Sequence, residues 1–210
     1  MRTALLLATV FLGLSFQARS QQRTALEPDA KRTAAALDAI MASEKATHNA
    51  RYRAEIKVTD EKGQEETQSE VFETMERFRL TTSKVDVISL PNGVWVRNAG
   101  ETQWSELDTD QASKVKRLPA LSVEAIGNST NFTDLGATTW QGQPTHAYSF
   151  ETDATIEGAR VVAHTKVYVN SVGLILGSES DNAKNGKTAY KVQKNTFDPT
   201  IHIQAPRATE

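Results

Sequence analysis

The sequence predicts an α+β fold: one curved antiparallel sheet, an incomplete β-barrel, covered by an N-terminal helix and short mid-chain helices. Three observations lead there. Helix-spaced apolar residues fill one long stretch, residues 27–49. Most of the remaining chain alternates apolar and polar residues with a period of two, in nine or ten runs joined by short turns. A single helix-like insert at 109–127 divides those runs into two groups. A meander this wide must curve or close on itself.

The N-terminus has the layout of a secretory signal peptide. Arg2 precedes an apolar run at 4–14, and Ala18-Arg19-Ser20 supplies small residues at a cleavage point after Ser20. The run is shorter than the roughly 20 apolar residues a membrane span needs. The expected organisation is therefore a signal peptide at 1–20 and a single domain at 21–210. The mature chain is expected to be exported, periplasmic, monomeric and without stable membrane insertion. The chain has no cysteine, so it relies on no disulfide and carries no lipid-modified cysteine at its N-terminus. An exported chain without disulfides points to a bacterial periplasm, and Asn128-Ser129-Thr130 and Asn131-Phe132-Thr133 then read as chance glycosylation matches in a polar loop.

The first helix is expected to begin at Pro28, which suits a first helical position, with Asp29 at the positive end of the helix. Leu37, Ile40 and Met41 form a narrow stripe among alanines, suited to lying against a sheet. After His48-Asn49 the period changes to two. Tyr52, Ala54, Ile56 and Val58 alternate with Arg51, Arg53, Glu55 and Lys57, a strand with one wet and one dry face. Asp60-Glu61-Lys62-Gly63 is a turn. A polar strand follows at 65–74, then strands at 77–82, 85–90 and 94–97. The insert at 109–127 carries Val115, Leu118, Leu121 and Ala125 at helical spacing and is interrupted by Pro119, giving two short helices as a plug or lid. Strands resume with His146, Tyr148 and Phe150 on one face and end with 161–169, 174–179, 188–195 and 201–203. Asn185-Gly186 reads as a type I′ hairpin turn.

Little of this composes an active site. The chain holds 24 Lys and Arg against 26 Asp and Glu, with no basic block, which argues against nucleic acid as a partner. His48, His146, His164 and His202 lack the close spacing of a metal motif. Gly177-Ser178-Glu179-Ser180 lacks the second glycine of a nucleophile elbow and a following helix. Gly186-Lys187-Thr188 lacks the first glycine of a phosphate loop, since Asp181 stands there. Glu65, Glu66, Glu70 and Glu73 read as a solvated strand face. No catalytic residue, metal or cofactor is expected. A curved sheet covered by one alanine-rich helix does, however, enclose space that short helices or an apolar ligand must fill.

Several segments, in this order, resemble the periplasmic lipoprotein carrier LolA and its relatives, the LolA/LolB/LppX-type half-barrels. Glu76-Arg77-Phe78-Arg79-Leu80 resembles the short aromatic strand of that family. Asn92-Gly93-Val94-Trp95-Val96 resembles its glycine–tryptophan hairpin. Trp140-Gln141-Gly142-Gln143-Pro144-Thr145-His146-Ala147-Tyr148 resembles a strand–turn–strand of its mycobacterial relatives, and 197–206 resembles the last strand with its terminal proline. The family arginine four residues before the aromatic-strand phenylalanine is replaced here by Thr74. The resemblance implies a non-enzymatic carrier that holds a lipid, a lipoprotein acyl chain or another hydrophobic ligand in an apolar cavity. The ligand-contacting residues are then expected to be Tyr52, Ile56, Phe78, Leu80, Trp95, Leu118, Leu121, Tyr148, Phe150 and Val167. The alternative is an envelope interaction or sensor module without bound lipid, contacting an envelope protein through an edge strand or face.

The export reading has a direct check. N-terminal sequencing of protein recovered from a periplasmic fraction is expected to begin near Gln21; Met1 retained in a membrane fraction would contradict it.

Overall fold

The computed structural model describes residues 28–206 apart from 128, 157–158 and 185–186. The expected signal peptide and the Asn185-Gly186 turn lie outside the described residues. Helix α1 (Pro28–His48) is followed by β1 (Tyr52–Asp60), β2 (Glu65–Thr74), β3 (Arg77–Thr81), β4 (Val85–Leu90), β5 (Gly93–Asn98) and β6 (Ser105–Glu106). Helices α2 (Thr109–Lys116) and α3 (Leu118–Gly127) come next, then β7 (Thr130–Trp140), β8 (Gln143–Ile156), β9 (Ala159–Val169), β10 (Ile175–Lys184) and β11 (Lys187–Phe197).

All eleven strands form one antiparallel sheet in the order β6-β5-β4-β3-β2-β1-β11-β10-β9-β8-β7. Two meanders are thus joined back to back through β1 and β11, and β6 and β7 remain as unpaired edges, so the sheet does not close. Local chemistry sets the joints. Asp60 accepts from the backbone N–H groups of Lys62 and Gln64, both at 2.8 Å, and turns β1 into β2. Gln141 and Gly142 both take positive φ, 48° and 81°, the requirement of a tight hairpin between Trp140 and Gln143. Asp108 caps α2 by accepting from the Gln111 N–H at 2.8 Å, and the helical insert breaks at Arg117, just before Leu118-Pro119.

The concave face carries two separate apolar clusters. One joins β1–β5 to α2 through Tyr52, Phe72, Phe78, Leu80, Val94 and Val115. The other joins α1, α3 and β7–β9 through Ala36, Ile40, Ile126, Phe132, Phe150 and Val167. A smaller cluster of Ile88, Leu90 and Ile203, with Trp95, lies on the convex face.

Three expectations need correction. Residues 128–133 were expected to be a loop, yet Thr130–Trp140 is a full strand. It is a polar edge strand with bulges between Thr130 and Thr133 and between Asp134 and Gly136, which erase the alternation that marks a strand. The two-residue β6 also brings the number of strands above the nine or ten expected. Finally, residues 201–203 form no ladder. The segment is held instead by side chains: Arg51 donates to the carbonyls of Pro199 and Ile201 at 3.0 and 3.1 Å, Arg77 donates to the Ile203 carbonyl at 2.7 Å, and Glu73 accepts from the Ile203 N–H at 2.9 Å.

Glu73 is accordingly not a solvated-face residue. Its side chain is 9% exposed, ion-paired to Arg77 at 3.1 Å and within 3.2 Å of His202. The Ile203 N–H and, next, the Arg77 and His202 contacts hold its carboxyl down at about 2. The folded pKa lies below the ordinary value of 4.5, so the stabilisation is complete above that value and lost as pH falls towards 2. Calorimetric scans are expected to show the melting temperature of the wild type falling more steeply than that of Glu73→Gln across this window. Parallel pH profiles would disprove the clamp.

Candidate functional site

The two concave clusters do not meet. Between them, over the central strands β1, β11 and β10, lies a cavity of about 360 Å³. One wall is aromatic and aliphatic. Tyr52, Phe72, Phe78 and Leu80 come from β1–β3, and their alternation with charged neighbours turns them inward. Tyr52 stacks on Phe72 with ring centroids 4.8 Å apart, and Phe72 contacts Phe78 at 5.7 Å. The opposite wall is Phe150 of β8 and Val167 of β9. Helix α3 closes over the space with Leu118, Pro119 and Ile126, and α1 contributes Glu44, Thr47 and His48 from its last turns.

The floor between these walls is polar. Ser178, Ser180 and Asn182 of β10 point in, with Lys191, Gln193 and Asn195 of β11 beside them. Most of these groups bond to one another. Thr165 and Ser180 hydroxyls lie 3.0 Å apart, the Ser180 hydroxyl donates to Asn182 at 3.1 Å, and the Gln193 amide donates to Asn195 at 3.1 Å. Asn195 in turn donates to the Ile175 carbonyl at 2.9 Å, while the Ile175 N–H donates to Thr47 of α1 at 2.9 Å. The cavity expected to be apolar thus has apolar walls and a polar floor.

Two carboxylates and two basic side chains complete the lining. Glu44 faces His48 at 3.5 Å. Glu70, read from the sequence as solvated, points into the cavity and accepts from the Gln68 amide at 2.5 Å. Burial pushes its carboxyl up, against the opposing effects of Lys191 and Gln68. Burial, followed by Glu44 and Glu70, also raises the Tyr52 hydroxyl well above its usual range, which keeps it a neutral hydrogen-bonding group. Among the described residues no three histidines, aspartates or glutamates gather as a metal site.

Of the residues expected at the ligand, Tyr52, Ile56, Phe78 and Leu80 line the cavity from β1 and β3, Phe150 and Val167 line it from the opposite wall, and Leu118 lines it from α3. Tyr148 shares the face of Phe150 but packs against the cluster under α1 and meets the tilted ring of His146 at 4.8 Å. It is not part of the lining. Trp95 lies on the opposite face of the sheet. Val94 and Val96 point inward from β5, so the period of two sends Trp95 outward, over Gly93, where a Cβ would stand 2.7 Å from the indole. The side chain of Leu121 lies outside the described residues. The polar floor was missed from sequence; the pairing of β11 with β1 is the signal that exposes it, because Gln193 stands opposite Ile56 and Lys191 opposite Val58.

Neither the protein-family models nor the curated proteins give a match to the sequence. Solved structures do. LprF from Mycobacterium bovis aligns over 83% of this chain and 98% of its own length, with a TM-score of 0.50 and 12% identity. The lipoprotein LppX of Mycobacterium tuberculosis aligns over 81% of this chain and 99% of its own, with a TM-score of 0.53 and 11% identity. A LolA superfamily protein from Nitrosomonas europaea aligns over 79% of this chain with a TM-score of 0.32 and 8% identity. The chain thus has the open half-barrel fold of LppX and LprF, as the resemblance in its sequence implied.

Proposed function

We propose that this chain is an exported, non-enzymatic binding or carrier protein that shelters the hydrophobic part of an amphiphile in the cavity. One observation carries the reading: the concave face holds two filled apolar clusters and, between them, a space that no side chain fills. A volume of about 360 Å³ is near the lower end of ligand pockets, roughly 300–1,000 Å³. It suits one acyl chain or a comparably slender molecule rather than a lipid with several chains. The aromatic wall supplies the driving force. Each buried methylene contributes about 0.8 kcal/mol, so an eight-carbon stretch contributes about 6 kcal/mol. No cofactor is needed for capture, which burial of the chain drives, and release needs none where a partner offers the chain a second apolar site. The half-barrel fold shared with LppX and LprF supports this reading at the level of architecture.

Helix α3 is the element suited to gating. It meets α1 and α2, rests on the sheet through Ile126, and places Leu118 on the cavity. Moving it would open the space without unpairing a strand.

Protein stripped of ligand and incubated with a lipid extract is expected to recover a single-chain amphiphile, read by mass spectrometry of the re-isolated complex. Failure to recover any such molecule would favour an interaction module. Leu118→Asp is expected to release a dansyl-labelled fatty acid about tenfold faster, as loss of about 1.4 kcal/mol of burial implies, with strand circular dichroism retained. An unchanged release rate in the folded variant would remove the gating role of α3.

A further inference from the structure

The floor of the cavity has a charge distribution that the carrier reading does not explain. An acyl chain alone needs no polar surface, and polar side chains facing an apolar ligand are costly to dehydrate. Here the polar groups are concentrated on β10 and β11, between two apolar walls. Most satisfy each other, as the Thr165–Ser180–Asn182 and Gln193–Asn195 chains show. Lys191 is different. It is half-buried, it is the one lysine or arginine on the lining among the described residues, and among those residues its ammonium makes no hydrogen bond or ion pair. Its electrostatic neighbour is Glu70, across β1.

No hydrogen bond or ion pair joins Glu70 to it. The carboxyl is engaged by the Gln68 amide at 2.5 Å rather than by the ammonium, and burial shifts it towards its protonated form. A protonated carboxyl is itself a donor. The other acidic group on the lining, Glu44, is on α1 and faces His48. The cavity therefore offers one uncommitted positive charge with neutral hydroxyls and amides around it. It also has an aromatic pocket at the end of the strands where Tyr52, Phe72 and Phe78 sit.

We propose that Lys191 anchors the headgroup of a single-chain amphiphile bearing one carboxylate, with the hydroxyl of Ser180 and the carboxyl of Glu70 beside it and the chain running towards Phe72 and Phe78. The register places the parts in this order along the strands. Lys191 pairs with Val58 and with Ser180, Gln193 with Ile56, and Tyr52 with Phe72 further along. A carboxylate fits better than a phosphate, because one ammonium balances one negative charge, whereas a phosphate monoester carries ≈ −1.5 to −2. This assignment rests on the carrier reading and specifies its ligand.

Decanoate and decanol share a chain and differ in the headgroup, so titration calorimetry with each separates the two claims. The wild type is expected to bind decanoate about tenfold more tightly than decanol, a ratio to which about 1.4 kcal/mol corresponds. Lys191→Met, which keeps length and removes charge, is expected to abolish that preference while still binding decanol. Lys191→Arg is expected to keep it. Equal affinity of the wild type for both ligands, or a preference that survives Lys191→Met, overturns the headgroup assignment and leaves the carrier reading standing. Binding of neither ligand by the wild type overturns both.

Discussion

The ladder between β1 and β11 is the constraint on which the rest of the molecule depends. It is the single strand pairing in the sheet that joins residues far apart in sequence without a hairpin, running through nine pairs from Tyr52–Phe197 to Asp60–Ala189. Each meander builds itself from local turns, but only this ladder makes them one sheet. Its register also decides which side of β11 faces the helices. A slip of one residue would turn Lys191, Gln193 and Asn195 outward and bring Val192, Lys194 and Thr196 in. The ladder is fixed beyond its end: the Asp198 N–H donates to the Arg51 carbonyl at 3.0 Å, and Arg51, Glu73 and Arg77 then hold the chain to Ile203.

The cavity follows from where the helices can reach. Helix α1 and α3 seal the half of the concave face built from β7–β9, and α2 seals the half built from β3–β5. Over the centre the inward side chains are short and polar. An apolar floor there would draw the two clusters together, because each buried methylene contributes about 0.8 kcal/mol. A floor of mutually bonded hydroxyls and amides gives no such pull, and its Thr165–Ser180–Asn182 and Gln193–Asn195 groups are already bonded. The contrast with Ser89 is instructive. That hydroxyl is fully buried within the filled side of the sheet and has no hydrogen-bond partner, so polarity there is tolerated at a cost, whereas on β10 and β11 it is organised.

The parts legible from sequence were those in which a periodic pattern and a turn signal agreed. The long helix, the change of period at Tyr52, the strands at 65–74 and 85–90, and the two short helices around Pro119 all satisfy that condition. Strand β7 does not. Its two bulges and exposed edge leave Phe132 and Trp140 as its only buried side chains. Trp95 was expected at the ligand from the resemblance of its hairpin, yet parity with Val94 and Val96 places it outside. The polar floor illustrates the deeper difficulty. Alternation tells which residues share a face, and composition is then used to decide which face is inside. On β10 and β11 that second step fails, since Ser178, Ser180 and Asn182 are inside although they are polar. Only pairing with Ile56 and Val58, whose side is unambiguous, corrects it, and long-range register is not written in local pattern.

In the carrier reading, the same register gives the cavity a direction. The β1–β2, β8–β9 and β10–β11 hairpins all turn at one end of the sheet, beyond Asp60, Ile156 and Lys184. The polar cavity-lining residues towards that end are Asn182, Thr152 and Lys191, with Ala189 opposite Asn182 and Val58 opposite Lys191. At the other end the strands run under the last turn of α1, where His48, Tyr52 and Phe72 lie against one another. The cation on the lining, Lys191, thus lies towards the hairpin end, and the aromatic cluster lies at the helix end beside the acidic side chain of Glu44. An anionic amphiphile that entered head first from the helix end would have to bring its charge past the aromatic rings of Phe72 and Phe78 and the carboxylate of Glu44. One that enters tail first from the hairpin end loses water from its chain progressively and keeps its head among hydroxyls throughout. The polar floor of β10 and β11 therefore does two things at once: it keeps the centre of the sheet unfilled, and it fixes the orientation in which the space can be filled.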